Sequence, residues 1–394
     1  MEYKNNTKLE IFDSTLRDGA QGEGISFSVL DKLKIVQLLD ALGVDFVEAG
    51  NPGSNPKDLE FFKEVKNLSL HHVKLVAFGA TRRRNTMASE DANIASLIQA
   101  GTDWVSIFGK SWDFQVTDII KTTLKENLNM IKDTVEYLVG KGKRVVFDAE
   151  HFFDGYIENK KYAIASIQEA AKAGATSIVL CDTRGGTIPS AIAIATKDVV
   201  DIFSKEYPTI IIGIHTHNDA SCADANALMA VEMGARHVQG TLVGIGERCG
   251  NASLATLIPT LQVKMGLNVL TEDQLASLTL ISHSVAEIAN ISDQESLFLG
   301  GEFNRYGLAT NIDANITDSF TVGASLNYNY SINKYSDLVS FEQVSTFRPD
   351  VGVYDEFNEY TTAPLYSGST ITLRNPVGGA AESRNKTLAQ YMYS

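Results

Sequence analysis

Eight short runs of β-branched and apolar residues, each followed by a longer amphipathic stretch, occupy the chain from Leu9 to about Leu267. Such runs are typical of buried parallel strands, and the stretches between them have the spacing of covering helices. Eight units in about 260 residues match the usual size of a closed barrel. An open doubly wound sheet is the alternative, but it normally has a glycine-rich phosphate turn after its first strand, where this chain has TLRDG. The pattern therefore predicts an α/β fold, a (β/α)₈ TIM barrel.

The overall charge and the cysteines limit the partners and the compartment. The 394 residues include 34 Lys and Arg against 48 Asp and Glu, a net charge of −14, so the average surface repels nucleic acid and anionic membranes. Three cysteines without a CxxC spacing argue against a disulfide framework and fit a reducing cytosol. The N-terminal segment has no apolar signal region, and no stretch approaches about 18 apolar residues. We expect a cytoplasmic protein with small-molecule substrates, no nucleic-acid partner and no membrane insertion.

The first predicted strand ends in an adjacent pair of opposite charges. It continues into DSTLRDG, in which Arg17 precedes Asp18, and Gln21 follows. An aspartate offers one hard oxygen ligand for a divalent cation, and an arginine offers a positive charge for a substrate oxygen. A buried structural ion pair is the alternative interpretation.

Two histidines end the seventh predicted strand. His215 and His217 stand two positions apart in HTHND. Side chains two apart on a strand project to the same side, so both imidazoles can bind one metal ion. A lone histidine is more often structural, but a pair in register at the mouth of a barrel favours a metal site.

Polar residues at three further strand ends add candidates. The eighth strand ends in GIGERCGN, where Asn251 offers a neutral oxygen, although the segment could be an ordinary glycine-rich loop. Glu150, after the fifth strand, could move a proton. Thr183, after the sixth, could bind a substrate carboxylate. Each could equally cap the helix that follows.

Four of these residues form a mixed oxygen and nitrogen ligand set: Asp18, His215, His217 and Asn251. Such a set suits Mg²⁺, Mn²⁺ or Zn²⁺ with room for a bidentate substrate, rather than a closed structural zinc site, which prefers thiolates. The sequence therefore predicts a metal site at the C-terminal mouth of the barrel, where barrels of this class hold their active sites.

Three motifs together carry a family resemblance. DSTLRDG, HTHNDA and GERCGN resemble the signatures of the metal-dependent barrel family that contains 2-isopropylmalate, homocitrate and citramalate synthases and the hydroxymethylglutaryl-CoA lyases. The stretches GNPGSNPKDLEFF, FGATRRRNT, FGKSWDFQVTD and DAEHFFDGY are most similar to the citramalate synthase branch. The resemblance covers about residues 8–290.

The resemblance implies an acyltransferase of branched-chain amino-acid biosynthesis that condenses acetyl-CoA with pyruvate or another 2-oxo acid. It implies a homodimer and a Mg²⁺ or Mn²⁺ ion, with Zn²⁺ as the alternative. It assigns metal binding to Asp18, His215, His217 and Asn251, substrate binding to Arg17, Gln21 and Thr183, and catalysis to Arg17 and Glu150. Arg184 departs from this branch, which usually has Asn after the CDT motif.

Two other interpretations stay open. The shared motifs do not determine the direction of the reaction, so a carbon–carbon lyase or aldolase on the same metal site is the first alternative. The second is an inactive protein. Family synthases continue past the barrel into a subdomain with a catalytic histidine, whereas no histidine follows His283 here.

The character of the sequence changes near Ser296. Apolar and polar residues alternate over residues 308–316 and 320–330, which predicts a β-hairpin. Roughly residues 302–394 resemble strands and loops of a TonB-dependent outer-membrane receptor. We therefore predict a catalytic barrel domain over 1–270 and a helical linker or truncated start of the family subdomain over 271–298. Residues 299–394 are expected to be an unrelated, poorly packed β-rich segment, as in a chimera of two coding segments.

Overall fold

The barrel predicted from the sequence is present and closed. The computed structural model describes residues 9–291 in full and the backbone of four strands further along the chain. Eight parallel strands pair in chain order, and the eighth pairs with the first. This confirms the (β/α)₈ TIM barrel.

The elements follow the predicted alternation. The barrel strands are β1 (Glu10–Asp13), β2 (Phe46–Gly50), β3 (Lys74–Ala80), β4 (Trp104–Lys110), β5 (Arg144–Glu150), β6 (Ser177–Asp182), β7 (Ile211–Thr216) and β8 (His237–Gly240). The α-helices within residues 9–291 are α1 (Val29–Leu42), α2 (Pro56–Glu64), α3 (Ala92–Ala100), α4 (Leu124–Gly140), α5 (Phe152–Lys172), α6 (Pro189–Glu206), α7 (Ala223–Glu232), α8 (Leu254–Pro259) and α9 (Glu272–Ile288).

Local sequence sets the ends of these helices. α1 begins at a capping box, in which the Ser28 hydroxyl accepts from the Asp31 backbone N–H and the Asp31 carboxylate accepts from the Ser28 backbone N–H. It ends at Gly43, which has a φ of 85°, a left-handed conformation that glycine adopts at little cost. α9 begins at a similar capping box at Thr271 and lies within the segment predicted as a helical linker.

The barrel interior changes from apolar to polar along the strands. At the N-terminal end, the Phe46 ring lies 5.8 Å from the Phe12 ring and 4.8 Å from the Trp104 ring. Towards the C-terminal end, Asp148 of β5 accepts a hydrogen bond from Gln239 of β8 at 3.0 Å, and both are buried. Because β5 and β8 are not neighbours in the barrel, this bond crosses the interior. Polar groups are thus concentrated at the end where active sites of such barrels lie.

A single carboxylate ties α1 to the start of β3. Asp40 is buried and accepts backbone N–H bonds from His71, His72 and Val73 at 2.8 to 3.0 Å. Burial by itself would raise the pKa of Asp40, but the hydrogen bonds outweigh it and hold that pKa below its ordinary value.

We expect Asp40→Ala to destabilise the protein by about 3 kcal/mol at neutral pH, because three N–H groups lose a charged acceptor. When folding lowers the pKa of a carboxyl group, that group stabilises the protein at pH values above its unfolded pKa of about 4. The stabilisation is lost as the pH falls through the folded pKa. The stability gap between wild type and variant should therefore narrow below about pH 4. Urea unfolding followed by circular dichroism measures the gap, with the exposed Asp103→Ala as control. A gap that stays constant with pH would contradict this account.

The chain divides into two units, Met1–Ala289 and Asn290–Ser394. In the second unit, β9 (Glu302–Thr317) pairs antiparallel with β10 (Phe320–Lys334), as the predicted hairpin requires. β11 (Thr362–Pro364) pairs antiparallel with β12 (Thr372–Arg374). The expected poor packing of residues 299–394 concerns side chains that lie outside the described part of the chain.

None of the helices in the described residues combines the length and the apolar character needed to cross a membrane.

Candidate active site

The side chains predicted to act in the site all lie at one end of the barrel, at or just after the C-terminal ends of strands. Arg17, Asp18 and Gln21 follow β1, Glu150 ends β5, Thr183 follows β6, His215 and His217 lie at the end of β7, and Asn251 follows β8.

The four predicted metal ligands converge. The Nε2 atoms of His215 and His217 lie 3.2 Å apart, and they lie 3.6 and 3.8 Å from Asp18 Oδ2. Asn251 Nδ2 donates to Asp18 Oδ1 at 2.9 Å. All four side chains are buried. One ligand atom from each of the histidines and from Asp18 falls within 4.8 Å of the others, a spacing that one ion can bridge.

The chemistry of this cluster fits a divalent cation. Burial lowers the pKa of His215 to about 3 and lowers that of His217, so both imidazoles are neutral, the form that binds metals. Burial opposes ionisation of Asp18, but the positive charge of Arg17 and the hydrogen bond from Asn251 outweigh it and lower the pKa of that carboxyl. Asn251 Oδ1 is buried without a hydrogen-bond partner, an arrangement that a bound ligand would relieve.

Glycines allow the loop after β8 to approach the cluster. A Cβ atom at Gly246 would lie 2.0 Å from Asn251 Nδ2 and 3.1 Å from Asp18 Oδ1. Gly250 has a φ of 92°, a conformation that other residues adopt only with strain. The spacing of glycines in GIGERCGN therefore serves the placement of Asn251.

Arg17 stands beside the cluster in a fixed orientation. Its Nε donates to Glu48 Oε2 at 2.6 Å, and its Nη1 lies 3.1 Å from Asp18 Oδ2. Its guanidinium also stacks 3.9 Å above the centre of the Phe78 ring. Gln21 accepts from Arg17 Nη1 at 3.3 Å and donates to Glu247 Oε1 at 3.1 Å. These four neighbours thus fix the direction in which the guanidinium points its remaining N–H groups.

Glu150 and Thr183 form a second group at the same mouth. The Thr183 hydroxyl accepts from the backbone N–H of His151, the residue after Glu150, at 2.8 Å. The Glu150 carboxylate forms an ion pair with Lys110 of β4. Within residues 9–291, no hydrogen bond or ion pair joins Glu150 or Thr183 directly to the four-residue cluster. Thr183 nevertheless follows β6, which pairs with β7, the strand of the two histidines.

The sequence analysis missed the buried acids that support the site. Glu48 is fully buried and accepts from Ser14 and Arg17, each at 2.6 Å. Asp148 accepts from Ser106 at 2.6 Å, and burial raises the pKa of Asp148 to about 7. The available signal was a charged residue near the end of an otherwise apolar strand, in VDFVEAG and RVVFDAE.

Two exposed arginines at the mouth connect loops. Arg248 donates to both carboxylate oxygens of Asp219 at 2.8 and 3.0 Å and to the Thr183 carbonyl at 2.8 Å, which links the loops after β6, β7 and β8. Arg184, the residue that departs from the branch pattern, donates to Asp154 at 3.3 Å and lies 6.0 Å from the Trp112 ring. Its charge therefore has a partner outside the metal cluster.

The sequence of this chain is similar to those of two groups of known enzymes. The (R)-citramalate synthase of Aquifex aeolicus (strain VF5) is 52% identical over 284 residues, which are 72% of this chain and 53% of that protein. The 2-isopropylmalate synthase of Listeria monocytogenes serotype 4a (strain HCC23) is 34% identical over 257 residues, 65% of this chain and 48% of that protein. The chain thus spans about half the length of the curated relatives it matches.

A solved structure and a family model agree with these sequence similarities. The hydroxymethylglutaryl-CoA lyase from Pseudomonas aeruginosa superposes with a TM-score of 0.60 at 18% identity, covering 75% of this chain and 97% of that one, a likeness that concerns the fold alone. The model of the HMGL-like family matches residues 8–285, which include all of the candidate site. By this match and by the level of identity to its relatives, the chain belongs to the HMGL-like family.

Proposed function

We propose that this chain carries the barrel of an acyltransferase that condenses acetyl-CoA with a 2-oxo acid, with pyruvate as substrate and citramalate as product. The observation that carries the proposal is the buried cluster of Asp18, His215, His217 and Asn251 beside Arg17. The 52% identity to a citramalate synthase supports pyruvate over larger 2-oxo acids. Because the matched part is about half of that relative, the activity is proposed for this chain rather than transferred to it.

A divalent ion held by the cluster, Mg²⁺ or Mn²⁺ in our proposal, would supply Lewis acidity to the keto oxygen of the 2-oxo acid. Arg17 is placed to stabilise the negative charge that develops on that oxygen, because Glu48 and Asp18 hold its guanidinium at the cluster. The Thr183 hydroxyl accepts from a backbone N–H, so its own hydrogen is available for the substrate carboxylate.

Glu150 is our candidate for the base. Its carboxylate oxygen would take a proton from the acetyl methyl group, and the methyl carbon would then form a bond to the keto carbon. Lys110 pairs with this carboxylate and restricts its orientation. Water then cleaves the thioester, which releases the CoA thiol and a dicarboxylate with a tertiary alcohol.

Release of free thiol from acetyl-CoA in the presence of Mn²⁺ tests the proposal. We expect thiol release that depends on pyruvate, yields citramalate and is lost in His215→Ala, since that substitution removes a buried ligand. The full chain should also be incubated with 3-hydroxy-3-methylglutaryl-CoA. Cleavage of that compound without condensation would favour the lyase alternative. Retained Mn²⁺ binding without either reaction would favour the inactive alternative.

The remaining expectations stay predictions. A homodimer, a cytoplasmic location and the relation of residues 302–394 to an outer-membrane receptor are not tested by the family match, which ends at residue 285. We propose residues 1–270 as the catalytic domain, because every candidate site residue falls within them.

A further inference from the structure

A cavity of about 600 Å³ opens beside the C-terminal ends of β3 and β4. Four of its lining residues are cationic, Arg82, Arg83, Arg84 and Lys110, and none is acidic. Apolar side chains, among them Phe108, form much of the remaining wall. In a chain with a net charge of −14, such a wall is a local exception that would attract an anion.

The cations differ in their availability. Arg82 is buried and engaged by Glu126 at 2.9 Å and by Asp133 at 2.7 Å. Arg83 and Arg84 are exposed, and within residues 9–291 neither takes part in an ion pair. Arg84 Nη1 donates only to the Lys121 carbonyl, at 2.5 Å. The rim of the cavity therefore presents two guanidinium groups that form no ion pair with any carboxylate in this part of the chain.

Two chains of side-chain contacts connect the wall of the cavity to the candidate active site. The Arg17 guanidinium lies over the Phe78 ring, and that ring stacks on Phe108 with 5.2 Å between centroids. Phe108 lines the cavity, as does Lys110, which pairs with Glu150. A molecule bound in the cavity could thus extend along these side chains to the proposed base and to Arg17.

We propose that this cavity binds the phosphate-bearing part of the acyl-CoA thioester, with Arg83 and Arg84 on the phosphates and the apolar wall along the pantetheine arm. The proposal rests on the proposed function, because it assumes a CoA thioester as substrate. Guanidinium groups match phosphate oxygens in a bidentate geometry. The volume lies in the range of small-molecule sites, and the combination of apolar wall and few cations suits a long, partly charged ligand.

The test compares wild type with the double variant Arg83→Ala/Arg84→Ala. Isothermal titration with CoA, in the absence of a 2-oxo acid, should show about 10- to 100-fold weaker binding in the variant. The KM for acetyl-CoA should rise by a similar factor, while the KM for pyruvate stays unchanged. S-acetyl-N-acetylcysteamine, a thioester without phosphates, should be used equally by both proteins. Lys197→Ala/Lys205→Ala removes the same charge from the exposed face of α6 and is the matched control.

Several outcomes would overturn the assignment. They are equal CoA affinity of wild type and variant, no CoA binding by wild type, an equal loss with the phosphate-free thioester, or a rise in the KM for pyruvate instead. The two proposals fail separately. CoA binding that depends on Arg83 and Arg84 would support the cavity even if wild type released no thiol, a result that would count against the condensation alone.

Discussion

Asp18→Asn is expected to weaken Mn²⁺ binding by at least about 100-fold and to lower pyruvate-dependent thiol release by about 1000-fold. The effect is large because the substitution changes a metal ligand itself and not a residue that supports a ligand. Among the described residues, Asp18 is the only one with a carboxylate oxygen close to both histidines, 3.6 and 3.8 Å from their Nε2 atoms. Its side chain is buried, with 2% of the residue exposed. The amide keeps the shape of the side chain but loses its charge. Arg17 keeps Glu48 as a partner, so the fold should survive.

Titration of Mn²⁺ followed by electron paramagnetic resonance separates metal binding from turnover. The matched control is Asp201→Asn, the same change on the exposed face of α6. We expect the control to bind Mn²⁺ like wild type and both variants to melt within a few degrees of it. Unchanged Mn²⁺ affinity in Asp18→Asn would show that the ion binds elsewhere, and our assignment of the cluster would be wrong.

Lys32→Met is expected to lower the free energy of unfolding by about 3 to 5 kcal/mol, because it leaves a buried carboxylate without its counter-ion. Lys32 Nζ lies 2.5 Å from Asp58 Oδ1 and donates to the Ala49 carbonyl at 2.9 Å. Both side chains of the pair are almost fully buried, at 5% and 7% exposure. Burial lowers the pKa of Lys32, whereas Asp58 opposes this change.

Urea unfolding of the full chain measures this effect. Lys34→Met makes the same substitution at an exposed position of the same helix and should change stability by less than about 0.5 kcal/mol. The double variant Lys32→Met/Asp58→Asn removes the stranded charge while keeping an acceptor for the Asn51 backbone N–H, and should regain part of the loss. A loss in Lys32→Met no larger than in Lys34→Met would mean that the ion pair contributes nothing measurable.

Much of the architecture was predictable because it follows from local periodicity. Each barrel strand is a short apolar run, and the helix between two strands has its own start signal, as at Ser28. The residues at which the strands end were less predictable. β8 covers only His237–Gly240, although the apolar run continues to residue 246, because the backbone after Gly240 turns towards Asn251 instead of extending the sheet.

The candidate site was predictable where ligands occur close together in sequence. His215 and His217 share one strand, so their spacing already places both imidazoles on one side. The supporting groups were not predictable in this way. Glu48 contacts Arg17 from a neighbouring strand, and Gln239 contacts Asp148 from across the barrel. Because the partners in each pair are far apart in the sequence, no short motif predicts these contacts.

The amino-acid sequence by itself determined the closed barrel, the family and the residue types at the strand ends, because strand periodicity and short motifs are local properties of the chain. Only the tertiary structure decided which of those residues meet. Barrel closure brings β1 beside β8, and this places Asp18 within hydrogen-bonding distance of Asn251, 233 positions later. It also gathers Arg83, Arg84 and Lys110 around one cavity, since the ends of neighbouring parallel strands lie side by side.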